Sequence, residues 1–140
     1  MEYRRFGNRL FVRMDTGEEI LAQLENVCRA ENIRLAEVKA LGALQRYTVG
    51  LFDPADKEYH KNTFEGPAEI TGLWGTVTTM DGEYYAHIHM NAANADGAVT
   101  GGHLNEAVVG PTCEMIIEVT DGTVERVHSD KTGLNLFKFE

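Results

Sequence analysis

The hydrophobic pattern of the chain is that of a β-rich domain with one clear helix. Runs of β-forming residues between turn signals predict seven to nine strands, the clearest at 9–14, 68–79, 85–90, 112–120 and 134–139. Between 16 and 31 the apolar residues have helical spacing and form one stripe: Ile20, Leu21, Leu24, Val27 and Cys28. We therefore predict an α+β fold, a largely antiparallel β-sheet with one long N-terminal helix. A weak signal at 104–108 predicts a second, short helix.

Local signals predict where these elements begin and end. Thr16, with Glu19 three residues later, forms a capping box for the helix, and Asn32 suits the left-handed position after its end. Glycines interrupt residues 35–79 and divide them into separate predicted strands. Asp121-Gly122 predicts a tight hairpin between the last central strand and residues 123–128.

Size and composition describe one ordinary domain. The chain has 140 residues, 43% apolar and 25% charged, which suits a single domain over residues 1–140. No apolar run approaches the roughly 18–20 residues of a bilayer span, and the start has no signal core, so we expect a cytoplasmic protein with no membrane partner. Cys28 and Cys113 form no Cys-x-x-Cys pair and are expected in the core. Apolar predicted edges at 68–79 and in the tail favour a symmetric oligomer.

The charge balance argues against non-specific binding of nucleic acid. The formal charge is −9, from 22 acidic and 13 basic residues, whereas such binding depends on lysines and arginines that displace counterions. Arg4, Arg5, Arg9 and Arg13 form one local concentration of basic residues. An ordinary solvated strand edge explains them better than a phosphate-binding track. DNA is therefore a partner that the net charge does not support.

Three of the five histidines fall within seventeen residues. On a strand, His87 and His89 share one face with Tyr85 and Asn91, about 7 Å apart at Cα. Ala95-Asp96-Gly97 has the chemistry of a three-residue hairpin loop. A hairpin that closes symmetrically about Asp96 places position 89 opposite position 103, with Cβ atoms roughly 5 Å apart.

This register gathers His87, His89 and His103 on one patch, which predicts a divalent-metal site. Three neutral imidazoles with an open fourth position are a known arrangement for zinc, our first expectation, although copper, nickel, cobalt and iron also accept such ligands. The Gly101-Gly102 pair beside His103 leaves room for a close approach. The alternative is that His-x-His is only a polar pair on a solvated face. His60 and His128 alternate with other polar residues and are given no role.

Taken together, the motifs resemble the PPC domain (plants-and-prokaryotes conserved domain) in its free-standing prokaryotic form. The ordered matches span about residues 9–120 and comprise Asp15-Thr16-Gly17-Glu18-Glu19-Ile20, Gly42-Ala43-Leu44, Phe52-Asp53-Pro54 with Tyr59, Pro67 to Gly75, Asp81-Gly82, His87-Ile88-His89, Asp96-Gly97, Gly101-Gly102-His103-Leu104 and Val109-Gly110-Pro111-Thr112.

This resemblance implies an antiparallel sheet flanked by helices, a homotrimer, and a family metal site that corresponds to His87, His89 and His103 here. It also carries a DNA-binding label. In the fused plant proteins an Arg-Gly-Arg AT-hook binds the DNA, and this sequence contains no such segment.

Three functions stay open on the sequence alone. The first is a trimeric metalloprotein with a ligand or catalytic pocket at the histidines, for which Glu106 and Glu69 are candidate general bases. The second is a DNA-associated regulator, and the third is an interaction module that a metal ion ties together. The sequence names neither a reaction nor a substrate.

Overall fold

The computed structural model describes residues 1–139 as a highly bent eight-stranded sheet with one helix. The elements, in chain order, are β1 (Glu2–Phe6), β2 (Arg9–Asp15), α1 (Ile20–Ala30), β3 (Ala36–Asp53), β4 (Glu58–Met80), β5 (Glu83–Ala93), β6 (Val99–Val119), β7 (Glu125–Ser129) and β8 (Leu134–Lys138). The main path of the sheet is β1-β2-β6-β3-β4-β7-β8, and β5 pairs with both β4 and β6. The pairings of β3, β4, β5 and β6 therefore close a ring.

Strict alternation divides the sheet into a buried and an open face. Along β2, Leu10, Val12 and Met14 are buried while the residues between them are exposed. Directly paired residues point to the same face, so one cross-strand row on the buried face joins Leu10, Ile117 and Val38. The helix contributes Ile20, Leu24, Val27 and Cys28 to the same core. The predicted apolar stripe of the helix is confirmed.

The helix is shorter than predicted, and the prediction of a capping box is wrong. Thr16 does not cap it, because its hydroxyl donates to the Pro111 carbonyl instead. Glu19 is the N-cap residue itself, and its carboxylate accepts the N–H groups of Leu21 and Ala22 and, from β6, Ala107. The long N-terminal helix is thus an 11-residue helix, and the fold is mostly β-sheet.

Other elements differ from expectation where pairing partners override local signals. Residues 104–108 lie inside β6, where they pair with β3, so the second helix is absent. Residues 36–53 and 58–80 form two continuous strands rather than several short ones. At Gly42, φ is +144° and an added Cβ would lie 2.4 Å from the Thr112 carbonyl oxygen. This glycine therefore allows the close approach of β6 rather than ending a strand.

The C-terminal ribbon, β7 with β8, is placed by an unexpected connection. Asp121-Gly122 does not make a hairpin, since β7 leaves β6 and pairs in parallel with the end of β4 at Glu125 and Arg126. The segment 68–79, predicted as an edge, lies inside the sheet, because β4 pairs with β3 on one side and with β5 on the other. Other local predictions hold: Asn32 is left-handed at φ 52°, and Cys28 and Cys113 are buried free thiols. No helix of residues 1–139 is long and apolar enough to span a bilayer.

Candidate metal centre

The β5–β6 hairpin has the predicted register. Asn94 and Ala98 close a tight turn about Asp96, with the Asn94 side chain accepting the N–H groups of Asp96 and Ala98, and Gly97 has φ 77°. Counting outward from this turn, Ala93 pairs with Val99 and His89 with His103. On β5 the alternate residues Ile88 and Met90 are buried, so the imidazoles point away from the core.

All three predicted histidines meet at one point. One ring nitrogen from each of His87, His89 and His103 lies within 4.8 Å of the other two. The Nε2 atoms of His87 and His89 are 3.2 Å apart, and the three ring-centroid separations are 5.1, 5.2 and 5.6 Å. His89 is exposed, whereas His87 and His103 are half-buried. The arrangement joins two neighbouring strands, so it depends on the hairpin and not on one strand alone.

The surroundings favour the neutral form of His87 and His103. Burial, followed by the nearby His103 and His89 and then the Arg126 charge, lowers the pKa of His87 to about 4. Burial also lowers the pKa of His103, with a smaller contribution from His89. Neutral imidazole is the form that binds a metal ion, so the lone pairs of these two rings are free near neutral pH.

The histidines form one wall of a cavity of 620 Å³ between the main sheet and the C-terminal ribbon. Its other lining residues are Gly50, Leu51, Phe52, Tyr59, Tyr85, Arg126, Gly133, Leu134, Asn135, Leu136 and Phe137. The ring of Tyr59 lies edge-on to His103, 6.1 Å between centroids, and its hydroxyl donates to Asn105 Oδ1 at 3.0 Å. Gly50 permits this position, because a Cβ there would lie 2.4 Å from the Tyr59 oxygen.

Some sequence-based interpretations of this region are wrong. The Gly101-Gly102 pair leaves no space for a ligand, since added Cβ atoms would lie 2.6 Å from the carbonyl oxygens of Met90 and Gly50. The two glycines instead allow neighbouring strands to pack closely around His103. The candidate bases lie elsewhere: Glu106 pairs with Arg46, and Glu69 is exposed outside the cavity.

Sequence patterning also left some residues that line the cavity unidentified. Arg126 lies in a segment where charged residues alternate with valines, a pattern that ordinarily places the charged side chains on the solvent side. In the structure Arg126 is 6% exposed and Val127 is 48% exposed, because β7 turns its arginine toward β4. Tyr85 could have been found, since it shares the strand face of His87 and His89. His60 and His128 lie outside the cavity on exposed strand ends, and His60 falls in a second group with Asp53 and Asp56.

Comparison with known proteins identifies the family. The family model of the Plants and Prokaryotes Conserved domain, abbreviated PCC or PPC, matches residues 1–121. The chain belongs to this family. The predicted membership is thereby confirmed, and the family match ends before the C-terminal ribbon. No curated protein is significantly similar to the chain.

Solved structures of similar proteins share the whole PPC fold. A metal-containing protein of Archaeoglobus fulgidus is 31% identical with a TM-score of 0.87, over 99% of this chain and 97% of its own. A PPC protein of Pyrococcus horikoshii is also 31% identical, with a TM-score of 0.85, over 99% and 94% of the two chains. A Bacteroides thetaiotaomicron protein, provisionally described as DNA-binding, is 28% identical with a TM-score of 0.96 over 99% and 96%.

The lowered pKa of His87 predicts how the stability of the metal-free protein depends on pH. Because the folded-state pKa lies below the ordinary 6.5, the unfolded chain takes up the proton first as the pH falls. The contribution of His87 to the free energy of unfolding should therefore be complete above about pH 6.5 and decrease from there toward pH 4. His87→Gln should flatten this decrease, while His128→Gln should leave it unchanged.

The pH dependence of the free energy of unfolding and the pKa of His87 can both be measured on chelator-treated protein. Urea unfolding at fixed protein concentration gives the stability profile, and NMR of the imidazole C–H signals gives the titration midpoint of each histidine. A His87 midpoint at or above 6.5 would contradict the electrostatic description of the site.

Proposed function

We propose that this PPC-domain protein is a metal-binding protein that holds one divalent cation, zinc in the first instance, on His87, His89 and His103. The observation that carries the proposal is the convergence of three imidazole nitrogens within 4.8 Å of one another. The Archaeoglobus relative, named as metal-containing, supports it at 31% identity.

The donor set fits a zinc ion. Zinc binds imidazole nitrogen at about 2.0–2.1 Å, and two such ligands on one tetrahedral ion stand about 3.3 Å apart. The 3.2 Å between the Nε2 atoms of His87 and His89 agrees with that separation. Two nitrogens at this distance otherwise have to share one proton, and burial disfavours the charged form of the His87 ring.

The cavity suits a small ligand more than a purely structural ion. A zinc ion on three neutral ligands keeps its full charge and supplies a Lewis acid that can polarise a carbonyl or phosphoryl oxygen. The chain's own residues shape the space beside it: Tyr59 packs edge-on against His103, and the C-terminal ribbon supplies an apolar wall of Leu134, Leu136 and Phe137. Pre-positioned ligands, two of them half-buried, next to an open cavity of 620 Å³ distinguish this site from the closed sites that only stabilise a fold.

We also propose that the protein is a homotrimer. On the open face of the sheet, Phe11, Leu41 and Trp74 are 48%, 60% and 63% exposed. Phe11 and Trp74 belong to one cross-strand row, Phe11–Ile116–Lys39–Trp74–His89, so exposed apolar residues, interrupted by Lys39, lie along a row that reaches the histidines. Exposed apolar surface of this kind is typical of subunit contacts.

The metal proposal predicts about one zinc ion per chain in protein purified without an affinity tag. His89→Ala should lose most of this metal, because two imidazoles bind a cation far more weakly than three. His128→Ala, which changes an exposed histidine outside the cavity, should retain it. Elemental analysis provides the metal content. An unchanged metal content in His89→Ala would refute the assignment.

The trimer proposal predicts a solution mass of about 47 kDa, three times the 15.6 kDa of one chain. Leu41→Glu should shift the protein toward monomer, because it places a charge on the apolar face. Size-exclusion chromatography with light scattering measures both. A wild-type mass of 15.6 kDa would contradict the proposal.

DNA binding is a second candidate, favoured by the description of the Bacteroides neighbour. The local arginine concentration gives it little support, because Arg5 pairs with Glu31, Arg9 with Glu118, and Arg13 with both Glu2 and Asp15. We expect no mobility shift of a labelled duplex with micromolar protein at about 50 mM salt, where phosphate contacts are strong. A shift that weakens as salt is raised would restore this function.

A further inference from the structure

The cavity beside the histidines contains a buried cation without an acidic partner. Arg126 is 6% exposed. Its guanidinium donates from Nε to Thr78 Oγ1 at 2.8 Å, from Nη1 to the Asn135 carbonyl at 2.8 Å, and from Nη2 to Thr76 Oγ1 at 3.3 Å. All three acceptors are uncharged. Within residues 1–139 no carboxylate forms an ion pair with it.

The guanidinium also packs against two aromatic rings. Its Cζ lies 4.7 Å from the centroid of Tyr85 and 4.4 Å from that of Phe137. Asn135 donates to the Tyr85 hydroxyl at 3.3 Å, which ties that ring to the C-terminal ribbon. A guanidinium carries five N–H groups, so two remain beyond the three that the protein satisfies.

A bound anion would offset the free-energy cost of burying the Arg126 charge. Burying a charge without a counterion is costly, and the usual remedies are an ion pair or a bound ligand. Holding the ribbon alone would require only neutral donors to two hydroxyls and one carbonyl. The stacked, pre-oriented guanidinium instead matches the planar fork that recognises a carboxylate through two parallel hydrogen bonds.

We propose that Arg126 binds the carboxylate of a small organic acid inside the histidine cavity. Arg126, Tyr85 and the three histidines line the same 620 Å³ space. Leu51, Phe52, Leu134 and Leu136 supply apolar walls there, which suits a short carbon chain. A phosphate group fits less well, because its two charges call for more than one cation and Arg126 is the single arginine or lysine among the lining residues.

The position of the histidines narrows the class of acid. With Arg126 on the carboxylate, the rest of the ligand occupies the space that the imidazoles also line. A 2-hydroxy or 2-oxo acid places an oxygen next to its carboxylate, and an oxygen there suits a divalent cation. This part rests on the proposed metal site, whereas carboxylate binding by Arg126 does not.

Lactate and lactamide test the inference on unmodified protein. The two molecules have almost the same shape, but only lactate carries a charge. Isothermal titration calorimetry at constant ionic strength should show lactate binding at least about tenfold more tightly than lactamide, since hydrogen bonds between charged groups are the stronger ones. Equal affinities, or tighter binding of inorganic phosphate than of lactate, would overturn the proposal.

Substitutions of Arg126 test whether this residue causes the preference for lactate over lactamide. Arg126→Gln should abolish the preference for lactate, and Arg126→Lys, which keeps the charge but not the fork, should restore part of it. Arg9→Gln, an exposed arginine paired with Glu118, is the matched control and should bind like wild type. Thermal melts of each variant check that the ribbon stays folded, and an unchanged preference in folded Arg126→Gln would refute the assignment.

The same titrations with chelator-treated and zinc-loaded protein separate the two proposals. Zinc should strengthen lactate binding, while the preference for lactate over lactamide should persist without it. If elemental analysis finds no metal and the preference remains, the metal proposal fails and the carboxylate site stands. If metal is bound and the preference for lactate is missing, the carboxylate proposal fails and the metal proposal stands.

Discussion

The register of β5 on β6 is the constraint on which the site depends. Side chains alternate between faces, so a slip of one residue would send His103 to the side opposite His89. Two features prevent the slip. The Asn94 side chain and Gly97 fix the turn, and burial of Ile88 and Met90 fixes which face of β5 is the core. The same alternation that builds the core therefore directs the imidazoles outward to one point.

Because this constraint is local, the sequence was sufficient to predict the triad. The hairpin joins residues only fourteen apart at His89 and His103, and period-two patterning with turn chemistry determines such a pair. The helix stripe and the left-handed Asn32 were predictable for the same reason. Where a longer-range contact competed, local signals failed: Glu19 became the N-cap because its carboxylate also reaches the Ala107 N–H on β6. Gly42 continued a strand because β6 packs against it.

The C-terminal ribbon shows what patterning cannot supply. Alternation in residues 123–128 correctly separates Arg126 from Val127, but it does not say which of the two faces is covered. That depends on the parallel pairing of β7 with β4, whose Thr78 and Thr76 accept from Arg126 across about fifty residues of sequence. The usual assumption that valine is inside and arginine outside is then reversed. Such a reversal against side-chain preference is typical of functional sites, where local consistency is given up.

An acidic protein can still hold an anion in this cavity. The net charge of −9 repels anions at long range, but salt screens charges more than about 8 Å apart at physiological ionic strength. Inside the cavity the nearest charge is Arg126, buried where the field is little screened. Burial and the neighbouring imidazoles account for most of the lowered pKa of His87, and the positive field of Arg126 adds the last contribution. The same positive field favours a negative ligand in the cavity. Both effects are local to the cavity, and the charge of the whole chain does not set them.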